Sequence, residues 1–151
     1  VPARSCRLRP MRLATVMRAQ DDLAAGRSRF QAEVAALRQA FLLAERSGPP
    51  ALVALDEVLG GTNSRERHLG TKAVLTALRG RAAAVMVSTH DLDLCRLADQ
   101  QADRYVLAHF ADSAGKEDLA FDYRLLPGAA RSTNALRVMR AAGLPIDESE
   151  A

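Results

Sequence analysis

Cysteine occurs twice in 151 residues, lysine twice and tryptophan not at all. Cys6 and Cys95 lie far apart and match no metal-ligand spacing, which excludes a zinc-type cysteine cluster and a disulfide framework. So low a cysteine content points to a reducing, cytoplasmic setting. No apolar run reaches the roughly 20 residues that span a bilayer, and no signal-peptide pattern opens the chain, so no membrane role is expected. Internal repeats and low-complexity stretches are also missing. The first residue is Val1 rather than methionine, as in a piece of a longer protein.

What is present suits one globular domain: 48% hydrophobic and 26% charged residues, with a net charge of +3. Residues 1–50 carry nine arginines against four acids, while the remainder has a small acidic excess. A basic N-terminal third permits phosphate contact, but solvated arginines explain it better, and charge alone does not make the chain a nucleic-acid binder.

Leu13 to Ala19 reads as a strand, followed by a loop, Asp21-Asp22-Leu23-Ala24-Ala25-Gly26. Phe30, Val34, Leu37 and Phe41 recur at helical spacing and predict a helix beginning after Ser28 as N-cap. Ser47-Gly48-Pro49-Pro50 stops it. Ala51 to Leu55 is an unbroken apolar run, as expected of a strand buried on both sheet faces. A helix over Ser64–Leu78, a second buried strand over Ala83–Val87 and a short helix over Asp91–Ala98 follow. This alternation predicts an α/β domain with a mainly parallel sheet. Tyr105–Phe110 and Leu119–Leu125, flanking Ser113-Ala114-Gly115-Lys116, predict a hairpin with Leu119, Phe121, Tyr123 and Leu125 on one face. A last helix is expected over Ser132–Ala142 before Gly143-Leu144-Pro145, then a frayed end over 146–151.

Three places can carry chemistry. The strand Ala51–Leu55 delivers two adjacent carboxylates, Asp56 and Glu57, at its C-terminal end, where ligands of open α/β sheets bind. One carboxylate there can serve Mg²⁺ through water, and the next can polarise the water that attacks a γ-phosphate. Two solvated acids ending a strand are the alternative. The next strand ends in Ser88-Thr89-His90-Asp91, placing His90 on the same sheet edge, although a structural histidine fits too. Gly26 and Ser28 stand at a helix N-terminus, which suits an anion or is an ordinary cap.

In this order the three places resemble one family, the MutS mismatch-repair ATPases of the ABC class, in their C-terminal ATPase domain. Asp22 to Glu33 resembles the family's signature segment, Leu55 to Ser64 its Walker B strand and following loop, and Ser88 to Asp91 its switch histidine. Phe121 to Gly128, Ser132 to Leu136 and Ala142 to Pro145 are similar to its hairpin-and-helix end. The resemblance covers residues 1–145 as one domain. It implies a three-layer P-loop NTPase fold with ATP and Mg²⁺ as cofactors, Asp56 serving the metal and Glu57 as general base. His90 would contact the γ-phosphate. Gly26 and Ser28 would close on the ATP of a dimer partner, and Thr62 and Asn63 would couple the two sites. Arg29 departs from the small hydroxyl residue of many members, and Thr62 to Arg67 resembles the divergent MutS-related proteins.

A phosphate-binding loop, Gly-x-x-x-x-Gly-Lys-Ser/Thr, is expected in this fold. Neither Lys72 nor Lys116 fits it, so the loop is expected upstream of Val1 and the fold incomplete at its N-terminus. Residues 1–151 alone are then expected to be inactive, and DNA contact to reside in domains outside them. Two other readings stay open: another ABC-class ATPase, from transport or chromosome maintenance, and a non-catalytic dimerisation module.

Overall fold

In this computed structural model the described residues are 4–17, 28–112, 121–130, 139 and 142–145. Two compact units divide the chain, Val1–Leu94 and Cys95–Ala151.

The first unit is built on three parallel strands: β1 (Arg12–Val16), β2 (Ala51–Asp56) and β3 (Ala84–Ser88), in the order β1-β2-β3. Helix α1 (Arg29–Glu45) connects the first two and α2 (Ser64–Leu78) the last two. The predicted α/β alternation with parallel strands is therefore present.

Helix α1 starts where its cap residue dictates. Ser28 Oγ accepts from the Gln31 amide at 3.3 Å, and Gln31 Oε1 accepts from the Ser28 amide at 3.1 Å, a capping box that satisfies two exposed donors. The helix ends before Gly48, whose φ of 115° few other residues tolerate. Arg12 fastens this turn to the start of β1, donating from Nε to Pro49 O at 2.7 Å and from its guanidinium to Arg46 O at 2.6 Å.

The packed stripe of α1 differs from the predicted one. Glu33, Leu37, Ala40 and Ala44 are buried, whereas Phe30 and Val34 are exposed. Only Leu37 belongs to both stripes. Alanines let the helix lie close on β1 and β2, where Val16, Ala51, Val53 and Leu55 form the covered face; the two bulky residues turn outward.

The other sheet face is open. Leu13 is 60% and Met86 64% exposed, and along β2 the residues alternate between buried and half-buried. Strand β3, expected to be buried, has its residues exposed or half-buried in alternation. The reason is topological: β3 pairs only with β2 among the described residues, so it is an edge strand.

Helix α3 (Leu92–Gln100) runs from the first unit into the second. The second unit contains the expected hairpin, β4 (Ala108–Asp112) paired antiparallel with β5 (Phe121–Pro127). His109 Nδ1 lies 2.9 Å from Gly128 O, and the Gly128 amide donates to Leu107 O at 2.9 Å, closing the end of the hairpin. Leu125, placed by alternation on a packed face, is exposed. The hairpin tip at 113–116 and the tail 146–151 lie outside the described residues. Of the expected last helix, Met139 and Ala142 are described; Met139 is helical, and its carbonyl accepts from the Leu144 amide at 3.0 Å past Gly143 at φ 86°.

Candidate active site

The parallel register aligns the C-terminal ends of β2 and β3, making Asp56 and Ser88 direct partners across the ladder. Ser88 Oγ donates to Asp56 Oδ1, and the Glu57 amide donates to Ser88 O at 3.2 Å. Beyond that point Glu57 takes φ 45° and Leu59 φ 60°. Left-handed backbone at two non-glycine residues is costly and concentrates at functional sites. The bend turns Glu57 toward the segment after β3, where its Oε1 lies 2.5 Å from His90 Nε2. Structure thus brings together Asp56, Glu57 and His90, the three residues singled out at the strand ends.

Val58 and Leu59 fold back into the core, and Gly70 in α2 gives Leu59 its room: a Cβ there would meet Leu59 Cδ1 at 2.5 Å. The chain then runs under the first turn of α1. Gly61 passes so close that a Cβ would stand 3.0 Å from Phe30 N and 3.1 Å from Phe30 Cα. Its amide donates to Glu33 Oε2 at 3.4 Å, while Glu33 Oε1 accepts from Arg29 Nε at 3.1 Å. Glu33 is 2% exposed, a buried carboxylate held by two donors. Its role is absent from the sequence reading, where Glu33 only closes the quoted segment. The legible signal is its i, i+4 spacing from Arg29.

The loop ends on α2. Thr62 Oγ1 donates to Glu66 Oε2, and Asn63 Oδ1 accepts from the Glu66 amide at 2.9 Å as the N-cap. Ser28 likewise caps α1, so Ser28, Thr62 and Asn63 all stand at or beside helix N-termini. Gly26 lies outside the described residues.

A cleft of about 1050 Å³ opens over the strand ends, with Arg29, Glu57, Arg67, His68, His90 and Asp91 among its walls. His68 Nδ1 lies 2.8 Å from Asp91 Oδ2, a second histidine–carboxylate pair that the sequence did not announce. Burial pushes the Asp91 carboxyl up, but the hydrogen bond from His68, the Leu94 amide, the His68 charge and the Asp93 amide together hold it below its ordinary 3.8. No group of three His, Cys, Asp or Glu side chains among the described residues could cage a metal. Asp56 beside Ser88 is instead a sparse, hard oxygen set, which suits an ion that keeps most of its water, as Mg²⁺ does.

A parallel α/β sheet that offers adjacent carboxylates and a histidine beyond its strand ends belongs to the class of domains that bind ligands at that edge. The sequence matches the MutS domain V family over residues 1–149, and the chain belongs to that family. It is 34% identical over 147 residues to the "DNA mismatch repair protein MutS 2" of Halobacterium salinarum, covering 96% of this chain and 17% of that protein. The "DNA mismatch repair protein MutS" of Natronomonas pharaonis is 34% identical over 137 residues, 89% of this chain and 15% of its own. That of Thermus aquaticus is 33% identical over 127 residues, 84% of this chain and 15% of its own. The chain therefore spans 15% to 17% of the length of these relatives. No helix among the described residues is long and apolar enough to cross a membrane.

Proposed function

We propose that this chain is part of a DNA-associated, MutS-type ATPase of the ABC class, acting in DNA mismatch repair or related DNA maintenance. In this reading residues 1–145 form one P-loop NTPase domain of a cytoplasmic protein, and ATP is hydrolysed between two subunits. The observation that carries it is the Glu57–His90 pair beside Asp56 and Ser88 at the ends of adjacent parallel strands. Membership of the MutS domain V family and the names of the relatives support the same reading.

Each residue then has a task. Asp56, steadied by the Ser88 hydroxyl, serves Mg²⁺ through its waters. When bound, the ion supplies charge that offsets the phosphates. Glu57 accepts a proton from the attacking water as its oxygen bonds to the γ-phosphorus and the bond to the β–γ bridging oxygen breaks. His90 holds the Glu57 carboxylate and reaches the γ-phosphate. Ser28 and Gly26 meet the ATP of the partner subunit, with Thr62 and Asn63 coupling the sites. DNA is contacted by domains outside this chain.

Glu57→Gln in the whole protein tests the reading. The amide keeps the shape and removes the base, so ATP should still bind while turnover collapses. Turnover that survives overturns the assignment. Residues 1–151 alone, which contain no phosphate-binding loop, should show no ATPase activity.

A further inference from the structure

His90 is 89% exposed along its side chain, so packing does not hold it in place. Its flanking residues do. The Asp91 amide donates to Thr89 Oγ1 at 3.0 Å, closing a turn around His90. The two Asp91 oxygens then divide their work. Oδ1 caps α3, accepting from the Asp93 amide at 3.0 Å and the Leu94 amide at 3.3 Å. Oδ2 reaches across to His68 Nδ1 at 2.8 Å, and both side chains of this pair are largely covered, at 29% and 19% exposure.

His68 lies one turn into α2, the helix whose Asn63 cap ends the loop that begins at Glu57. Both members of the Glu57–His90 pair are therefore referenced to one rigid helix: Glu57 through the loop, His90 through Asp91 and His68. We propose that His68 is a positioning residue, which sets His90 against Glu57 by way of Asp91. The proposal rests on the ATPase reading of the site. His68 Nδ1 carries the proton it donates to Asp91, and what α2 supplies is a fixed distance rather than chemistry. A displacement of about 1 Å at a reacting group can lower rate on the order of 100-fold, so a tether of this kind matters to kcat more than to substrate affinity.

Three variants of the whole protein separate the tether from mere filling. His68→Phe fills the space without a donor, His68→Ala removes both, and His68→Asn places an amide nitrogen at the branch position of Nδ1. His68→Phe and His68→Ala should lower kcat for ATP by about tenfold or more with KM within about twofold, and His68→Asn should restore kcat to within about threefold of wild type. The ring-proton NMR signal of His90, followed in the 151-residue chain, should shift in His68→Phe and return in His68→Asn. Equal rates for His68→Phe and wild type, or no recovery in His68→Asn, overturn the proposal. So does a His90 signal unmoved by either change. Glu57→Gln, assayed alongside, distinguishes the two failures: if its turnover survives, the ATPase reading falls, while the His90 signal still reports whether His68 positions it.

Discussion

The amide of Gly61 donates to Glu33 Oε2 across 28 positions of sequence, at 3.4 Å, and binds the loop after β2 to the first turn of α1. Arg29 completes the link by donating to the other carboxylate oxygen. Two segments that the resemblance treats as separate motifs are thus joined by one buried side chain. Glu33→Ala leaves the Gly61 amide without this acceptor and removes the carboxylate that Arg29 Nε meets. It should cost about 2 kcal/mol in urea unfolding, the scale of hydrogen bonds to a charged group. Glu33→Gln should cost less, and equal losses for the two would argue against a clamp.

Gly60 and Gly61 should respond differently to the same change. At Gly61 the added methyl group meets the Phe30 backbone at 3.0 and 3.1 Å, which cannot yield without moving α1. At Gly60 it meets Arg29 Nη2 at 2.7 Å, the far end of a flexible side chain that can swing away. Gly61→Ala should therefore lose about 1–3 kcal/mol, in the range of overpacking, and Gly60→Ala distinctly less. Melting temperatures of the two variants compare them directly, and a Gly60 variant that melts lower than the Gly61 variant would contradict the packing.

The depressed carboxyl of Asp91 has a consequence for acid stability. A carboxyl that ionises more readily in the folded chain stabilises the fold above its unfolded value. That contribution disappears as pH falls through the lower folded value. Stability should therefore decline below about pH 3.8, and Asp91→Asn should flatten this part of the curve. Denaturant midpoints taken at several acid pH values read the difference, and parallel curves would show that Asp91 contributes nothing there.

If the proposed ATPase function holds, His90→Ala should lower kcat of the whole protein by about 10²–10⁴, the usual contribution of a group that orients or exchanges a proton in the transition state. Nucleotide affinity should change far less. A variant impaired only in KM would place His90 in binding instead.

Much of this was legible in the sequence because local rules dictated it. Ser28 caps its helix where a short oxygen-bearing side chain satisfies a free amide, and the apolar run before Asp56, closed in by Pro49-Pro50 and the acidic pair, reads as the strand it forms. That Glu57 and His90 share one sheet edge also followed from topology, since consecutive parallel strands present their C-terminal ends together, but their direct contact did not. Other features depend on contacts no spacing reveals. The packed stripe of α1 runs through two alanines and a glutamate rather than through Phe30 and Val34, because closeness to the sheet outweighed side-chain size. His68 and Asp91 are 23 positions apart, and their pairing appears only once α2 and the segment after β3 are in place. Strand β3 reads as a core strand by composition, yet its exposure is set by the number of its neighbours.

The sheet side on which Leu13 and Met86 are exposed is a place where added cover would stabilise this unit. Oily sheet surface gains roughly 25 cal/mol for each Å² withdrawn from solvent, so any segment or subunit laid over Leu13, Ala54 and Met86 shares in holding the strands together. A polar residue in place of Met86 would remove oily area from this face while leaving the strand-end carboxylates untouched.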